Sequence, residues 1–328
     1  MKSNTVVYFL VLFLAPSLTC LLAPSGLRAQ DPLPSWNDDT LKASIINFVK
    51  TVTTEGGAGF VPVEDRIATF DNDGTLWAEK PLVEGLFTFF RAKQMMEKNP
   101  ALKSQQPYKA IAAGDMAYLK TLSEKDFIKL AVATHANLTA AEFDKDARLF
   151  YANAKTPQGR AIAQVVYQPQ VELLQYLRAN GFKTFICSGG DVDFMRPISW
   201  QYYGIPAEQV IGTSSKYAYK DSAGINDLVR TSTLAVFNDK QQKPASIQTY
   251  IGKRPILACG NEGGAGDVYM LRFTQGGKYP SYQLIVNHDD KEREFYYQEK
   301  DNKSLNWAAK YGWHVVSMKN NWKTVFVQ

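Results

Sequence analysis

Cysteine is scarce in this chain, with three in 328 residues. Cys20 lies in an apolar N-terminal stretch, and without that stretch only Cys187 and Cys259 remain, too few for a disulfide framework. Both sit in apolar strand-like runs, the ordinary setting of a buried free thiol. Long blocks of like charge are missing as well. The formal net charge of +5 is spread along the sequence, which argues against a nucleic-acid arm or a polybasic membrane patch. There is no internal repeat and no low-complexity tract. An uninterrupted membrane-spanning run is also lacking: Thr5 to Ala15 is almost wholly apolar, but Pro16 ends it well before the roughly 20 residues that a bilayer requires. With Lys2 before it and the small residue Ala29 near its end, the segment 1–30 reads as a cleavable signal peptide. Export to the periplasm or beyond is therefore expected, with no stable membrane insertion after cleavage. A lipidated Cys20 is disfavoured, because Ser17-Leu18-Thr19 offers no small residue directly before it.

What is present is a globular chain, 45% apolar, long enough for one sizeable domain plus an insert. Residues 31–60 read as a Pro-rich join and a helix, capped at Asn37 or Asp38, with Leu41, Ile45, Phe48, Val49 and Val52 at helical spacing. Short apolar runs follow at Ile67 to Phe70, Thr184 to Cys187, Val210 to Ile211, Ile256 to Cys259 and Tyr282 to Val286. Helical patterns such as Val171 to Asn180 alternate with them, which predicts an α/β fold: a Rossmann-like, three-layer parallel sheet. The interval between the first two strands is too long for one crossover helix and carries almost no strand signal. Phe87 to Glu97, Pro107 to Leu122, Glu124 to Thr134 and Ala140 to Ala154 read as helices, so 84–168 is expected to form a helical cap, with 61–83 and 169–328 as the core. Leu305 to Tyr311 reads as a further helix and His314 to Met318 as a strand.

Phe70-Asp71-Asn72-Asp73-Gly74-Thr75-Leu76 follows the first strand, and open parallel sheets bind ligands beyond the carboxyl ends of their strands. Two carboxylates one residue apart repel each other unless a cation or a shared proton relieves them, which suggests metal binding or acid–base work. Gly74 permits a sharp turn and Thr75 brings a hydroxyl close by. A plain Asx turn has a similar composition. A calcium loop does not fit, since Thr69 stands where an acidic ligand is needed and Lys80 where a glutamate is needed.

A strand ending in Asp-x-Asp-Gly-Thr-Leu resembles the first motif of the haloacid dehalogenase superfamily, in its phosphoserine-phosphatase-like branch. The later motifs occur in order from about Val61 to Val286. Phe185-Ile186-Cys187-Ser188-Gly189-Gly190 resembles the second motif and Lys243 before Pro244 the third, with Lys240 as a rival. Ile256 to Asp267, containing Gly260-Asn261 and Gly266-Asp267, is similar to the fourth. The resemblance implies that Asp71 is the nucleophile, Asp73 the acid–base and Lys243 the phosphoryl-neutralising cation. Ser188 would hold phosphoryl oxygen with the amides of Gly189 and Gly190, which would open the next helix. It also implies magnesium, held by Asp71 and Asp73 and completed by Asn261 or Asp267. Asn261 stands where many members carry aspartate.

The resemblance further implies a C1-type cap and a small phosphorylated substrate. It places the first strand between those ending near Cys187 and Cys259, two spacings of about 4.8 Å apart, beyond disulfide reach. Asp73 argues against dehalogenation, because that branch lacks the second aspartate. An exported magnesium-dependent phosphatase is the expectation. The alternatives are a pyrophosphatase or phosphotransferase of the same superfamily, and a catalytically silent phospho-ligand binder. Trp77, Glu79, Asp191, His288, Asp289 and Asp290 are further polar or aromatic groups at strand ends, and of these His288 has a side chain suited to proton transfer near neutrality.

Overall fold

The apolar runs bounded by turn residues become strands β1 (Ile67–Phe70), β2 (Lys183–Asp191), β3 (Val210–Ser222), β4 (Ile225–Val236), β5 (Leu257–Asn261), β6 (Tyr282–Asn287) and β7 (His314–Ser317). They form a seven-stranded sheet in the order β4-β3-β2-β1-β5-β6-β7. The computed structural model describes residues 31–222, 224–263 and 266–328; the expected signal peptide at 1–30 and Cys20 lie outside the described residues. β1 is central, with Phe70 beside Ile186 of β2 and Cys259 of β5, and all pairings from β3 to β7 are parallel. All four residues of β1 are buried, as expected for a parallel strand covered on both faces. Cys187 and Cys259 are buried free thiols on the two strands flanking β1.

The helices are α1 (Thr40–Thr53), α2 (Val83–Lys98), α3 (Tyr108–Ala113), α4 (Met116–Leu119), α5 (Glu124–His135), α6 (Ala140–Asn153), α7 (Gln168–Ala179), α8 (Val192–Tyr203), α9 (Gln242–Ile251), α10 (Asp267–Gln275), α11 (Lys303–Tyr311) and α12 (Met318–Asn321). In α1 the predicted apolar positions are buried, but the cap is Asp39, which accepts from Lys42 N at 2.9 Å, rather than Asn37 or Asp38. The interval from α2 to α6 contributes no strand to the sheet. The single helix expected over 107–122 is two, because Gly114 takes a left-handed φ of 67° and ends α3.

Two differences from the sequence reading matter for the site. β2 continues through Gly189 and Gly190 to Asp191, so these glycines belong to the strand end and not to the start of α8. The run at Val210–Ile211 is only the beginning of β3, which pairs with β4 as a long antiparallel hairpin. That hairpin leans on the helical segment between β1 and β2. Asn137 N donates to Arg230 O at 2.8 Å and Arg230 N to Leu138 O at 2.8 Å. Phe87 of α2 and Tyr151 of α6 both stack on Phe194 of α8, at 4.7 Å and 4.8 Å. Pro32–Gln328 consequently forms one compact unit. No helix among the described residues is long and apolar enough to cross a membrane.

Candidate active site

Beyond Phe70 the chain leaves the carboxyl edge of the sheet in a tight turn, where Asn72 O accepts from the amides of Thr75, Leu76 and Trp77 at 3.2, 2.8 and 3.2 Å. Gly74 has φ 72°, and a Cβ there would lie 2.1 Å from Asn261 Nδ2, so both backbone and space require glycine. The turn brings Asp71 and Asp73 to the wall of a cavity of about 510 Å³. Ser188, Gly189 and Gly190 from the end of β2, Lys243 from the first turn of α9, Asn261 from β5 and Asp267 from α10 line the same cavity. Eight of the nine residues that the sequence singled out for catalysis, anion binding or metal binding thus share one space, and Thr75 does not. Thr75 is fully buried behind the turn, and its hydroxyl has no hydrogen-bond partner among the described residues.

Lys243 Nζ donates to Asp71 Oδ1 at 2.7 Å and also to Asp267 Oδ1. Asp267 Oδ2 in turn accepts from Asn261 N at 2.9 Å, so both of its oxygens are engaged. The rival Lys240 is exposed and pairs only with Asp239, at 3.4 Å. Asp73 Oδ1 accepts from the indole Nε1 of Trp77 at 2.9 Å. Ser188 Oγ accepts from Gly190 N at 3.1 Å. The Asn261 amide nitrogen faces Glu79 Oε2 at 3.1 Å and the Tyr297 hydroxyl at 3.2 Å, and among the described residues its oxygen has no partner.

Electrostatically the site is short of positive charge. Burial, then the neighbouring Asp267, push the Asp71 carboxyl well above its usual range, although Lys243 pulls the other way. Burial raises Asp73 too, opposed by the hydrogen bond from Trp77. Burial alone would discharge Lys243, yet Asp267 and Asp71 hold its ammonium above the usual lysine range. Cys187, pushed up to about 12 by burial, is not poised as a nucleophile.

Beyond the aspartates the cavity runs between α5 and β4 to a cluster that sequence reasoning missed: Glu84, His135 and Arg230, around Asp191. Glu84 Oε2 accepts from Asp191 N at 3.0 Å, and His135 Nδ1 lies 3.4 Å from Asp191 Oδ2. Glu84, His135 and Asp191 offer ligand atoms within 4.8 Å of one another, a spacing that could hold a metal ion. Arg230 already supplies the counter-charge there, bonding both Asp191 oxygens and Asp193. No local signal marks these residues, since they come from an insertion helix, a helix end and a hairpin far apart in sequence. His288 is not on the cavity wall. It is fully buried, donating from Nε2 to Gly74 O at 2.9 Å, with Nδ1 3.0 Å from Glu294 Oε2. Asp289 receives Ser317 Oγ and Lys319 N at 2.6 and 3.0 Å, and Asp290 pairs with Arg293, so both are structural.

A central parallel strand ending in an aspartate pair, faced by a serine from one neighbouring strand and by a buried lysine, defines a hydrolase site of the haloacid dehalogenase type. The chain belongs to the haloacid dehalogenase-like hydrolases, whose family description matches residues 68–272, more than half of its length. Among solved structures it is similar in fold to a conserved protein of unknown function from Anaerococcus prevotii DSM 20548, at 14% identity and a TM-score of 0.58, covering 90% of this chain and 98% of that one. A second similar fold is a protein of unknown function from Bordetella pertussis Tohama I, at 15% identity and a TM-score of 0.50, covering 77% and 98% of the two chains. Comparison with the curated proteins finds none that matches.

Proposed function

We propose that the chain is an exported, magnesium-dependent phosphatase that hydrolyses small phosphomonoesters through an aspartyl-phosphate on Asp71. The observation that carries this reading is the buried Lys243 ammonium 2.7 Å from Asp71 Oδ1, at the end of the central strand and open to the cavity. The donor set also fits a hard divalent cation. Asp71, Asp73 and Asp267 face a single ammonium, and the Asp71 carboxylate and the Asp73 backbone carbonyl, with the amide oxygen of Asn261, are the oxygen ligands such an ion takes. Asp267 is the poorer ligand, because Lys243 and Asn261 N occupy both of its oxygens. When bound, magnesium would neutralise charge on the phosphoryl group.

In this reading an Asp71 oxygen bonds to phosphorus as the ester oxygen leaves, and that oxygen takes its proton from Asp73. Burial favours the protonated form of Asp73 needed for this half-reaction, and the Trp77 indole holds the carboxyl in place. Asp73 then takes a proton from water, whose oxygen attacks phosphorus, and the Asp71 carboxylate is released with inorganic phosphate. Lys243 and Ser188, with the backbone at Gly189 and Gly190, hold the phosphoryl oxygens throughout.

Residues 31–328 are expected to hydrolyse an aryl phosphate with magnesium and to stop when a chelator is added. Asp71→Asn should lower kcat by at least about 10³-fold, and Asp73→Asn by roughly 10²- to 10⁴-fold. Unchanged turnover in Asp71→Asn would sink the mechanism.

A further inference from the structure

The half of the cavity away from Asp71 would receive the alcohol being released, and its charge is unusual. Eight carboxylates line the whole cavity against three cationic side chains, and each of the three is already paired with a carboxylate. Lys243 serves Asp71 and Asp267, and Lys240 serves Asp239. Among the described residues lining the far end Arg230 is the only cation, and it is fully buried with all five N–H groups engaged.

A guanidinium carries five N–H groups. Those of Arg230 meet His135 O at 3.2 Å, Asp191 Oδ1 at 3.4 Å, Asp191 Oδ2, Asp193 Oδ2, and Ser215 Oγ at 3.0 Å. Its face lies 4.1 Å over the Phe143 ring, which closes the remaining approach. Asp193 is shared with Arg196, at 3.2 Å, so the two aspartates and two arginines balance, and Glu84 is the acid of this end with no basic partner among the described residues. The Glu84 carboxyl is raised to about 8, chiefly by burial and then by Asp191, so it takes on charge readily only when a cation lies beside it. The other walls are apolar, with Phe127, Ile128 and Ala131 of α5 on one side and Leu234 of β4 on the other.

We propose that this end of the cavity is an anion-excluding subsite: it admits phosphate esters whose alcohol part is apolar and either uncharged or cationic, and rejects those whose alcohol part carries a carboxylate. The inference rests on the phosphatase reading above and names its substrate class. A second anion would find no free donor cation and would face Asp191 across a partly desolvated gap, beside a Glu84 carboxyl that cannot neutralise it. An ammonium there would find Asp191 and would favour ionisation of Glu84, with the His135 ring, kept uncharged by burial, alongside.

The test uses wild-type protein with magnesium and three esters of one shape: phenyl phosphate, 4-(aminomethyl)phenyl phosphate and 4-carboxyphenyl phosphate. Their benzylphosphonate counterparts, which cannot be hydrolysed, are titrated by calorimetry, so binding is read apart from leaving-group reactivity. The carboxylate phosphonate is expected to bind at least about tenfold more weakly than the neutral one, and the ammonium phosphonate at least as tightly as the neutral one. The same order should appear in kcat/KM. A carboxylate analogue that binds as well as the neutral one overturns the proposal, and failure of all three phosphonates to bind overturns it too. If they bind in the expected order while no ester is turned over, the subsite stands and the phosphatase reading falls.

Discussion

Single side chains at the site are constrained from behind as much as from the cavity. Gly74 is held by three demands at once: a left-handed φ, the nearby Asn261 amide, and a carbonyl fixed by His288. Gly74→Ala should therefore cost at least about 1–2 kcal/mol from the backbone alone, with the steric conflict added to it. Urea unfolding would measure the loss, and a variant as stable as wild type would show that the turn can relax. Asp71, Asp73, Ser188 and Lys243 were legible in the sequence because each sits at a strand end or a helix start whose local pattern is strong. Thr75 and His288 were misjudged for one reason. Whether a polar residue near a strand end faces the cavity or the rear of the turn depends on the twist of one short loop, and no periodicity records that.

The elements divide along the same line. β1, β5 and β6, buried on both faces, announce themselves as apolar runs, and their order and parallel register follow. The β3–β4 hairpin does not. Its outer half projects past the sheet and is largely exposed, so apolar alternation fades after Ile211, and Arg230 disappears with it. The contact between α2 and the end of β2, Glu84 to Asp191 N, has a pH signature that follows from its sign. Glu84 titrates at about 8 in the folded chain against an ordinary 4.5, so the native state keeps a proton that the unfolded state has released. Stability from this group is complete below about pH 4.5 and is lost as the pH rises toward 8. Asp191, lowered to about 2 by Arg230 and His135 against the effect of burial, acts oppositely, adding stability above 3.8 and losing it as the pH falls toward 2. In Glu84→Gln the decline of Tm between pH 5 and 8 should be shallower than in wild type, by calorimetry; parallel Tm curves would refute the assignment.

At the scale of the whole molecule, the helical segment between β1 and β2 is tied to the rest of the chain at more than its two connections. The exchanged backbone hydrogen bonds of Asn137 and Leu138 with Arg230 add a third attachment, on the far side of the cavity from the Asp71 turn. Hydrogen exchange should find the amides of Asn137 and Arg230 as slow as those of the central strands, with or without inorganic phosphate. Loop-like exchange at both positions would mean that the attachment opens. A lid hung on two hinges can swing like a door, whereas one pinned along a third edge can only flex like a stretched membrane. Under the phosphatase reading, alcohol and phosphate then pass through a gap opened by small movements of single helices and loops, and the size of molecule admitted is set by how far that pinned wall can bow.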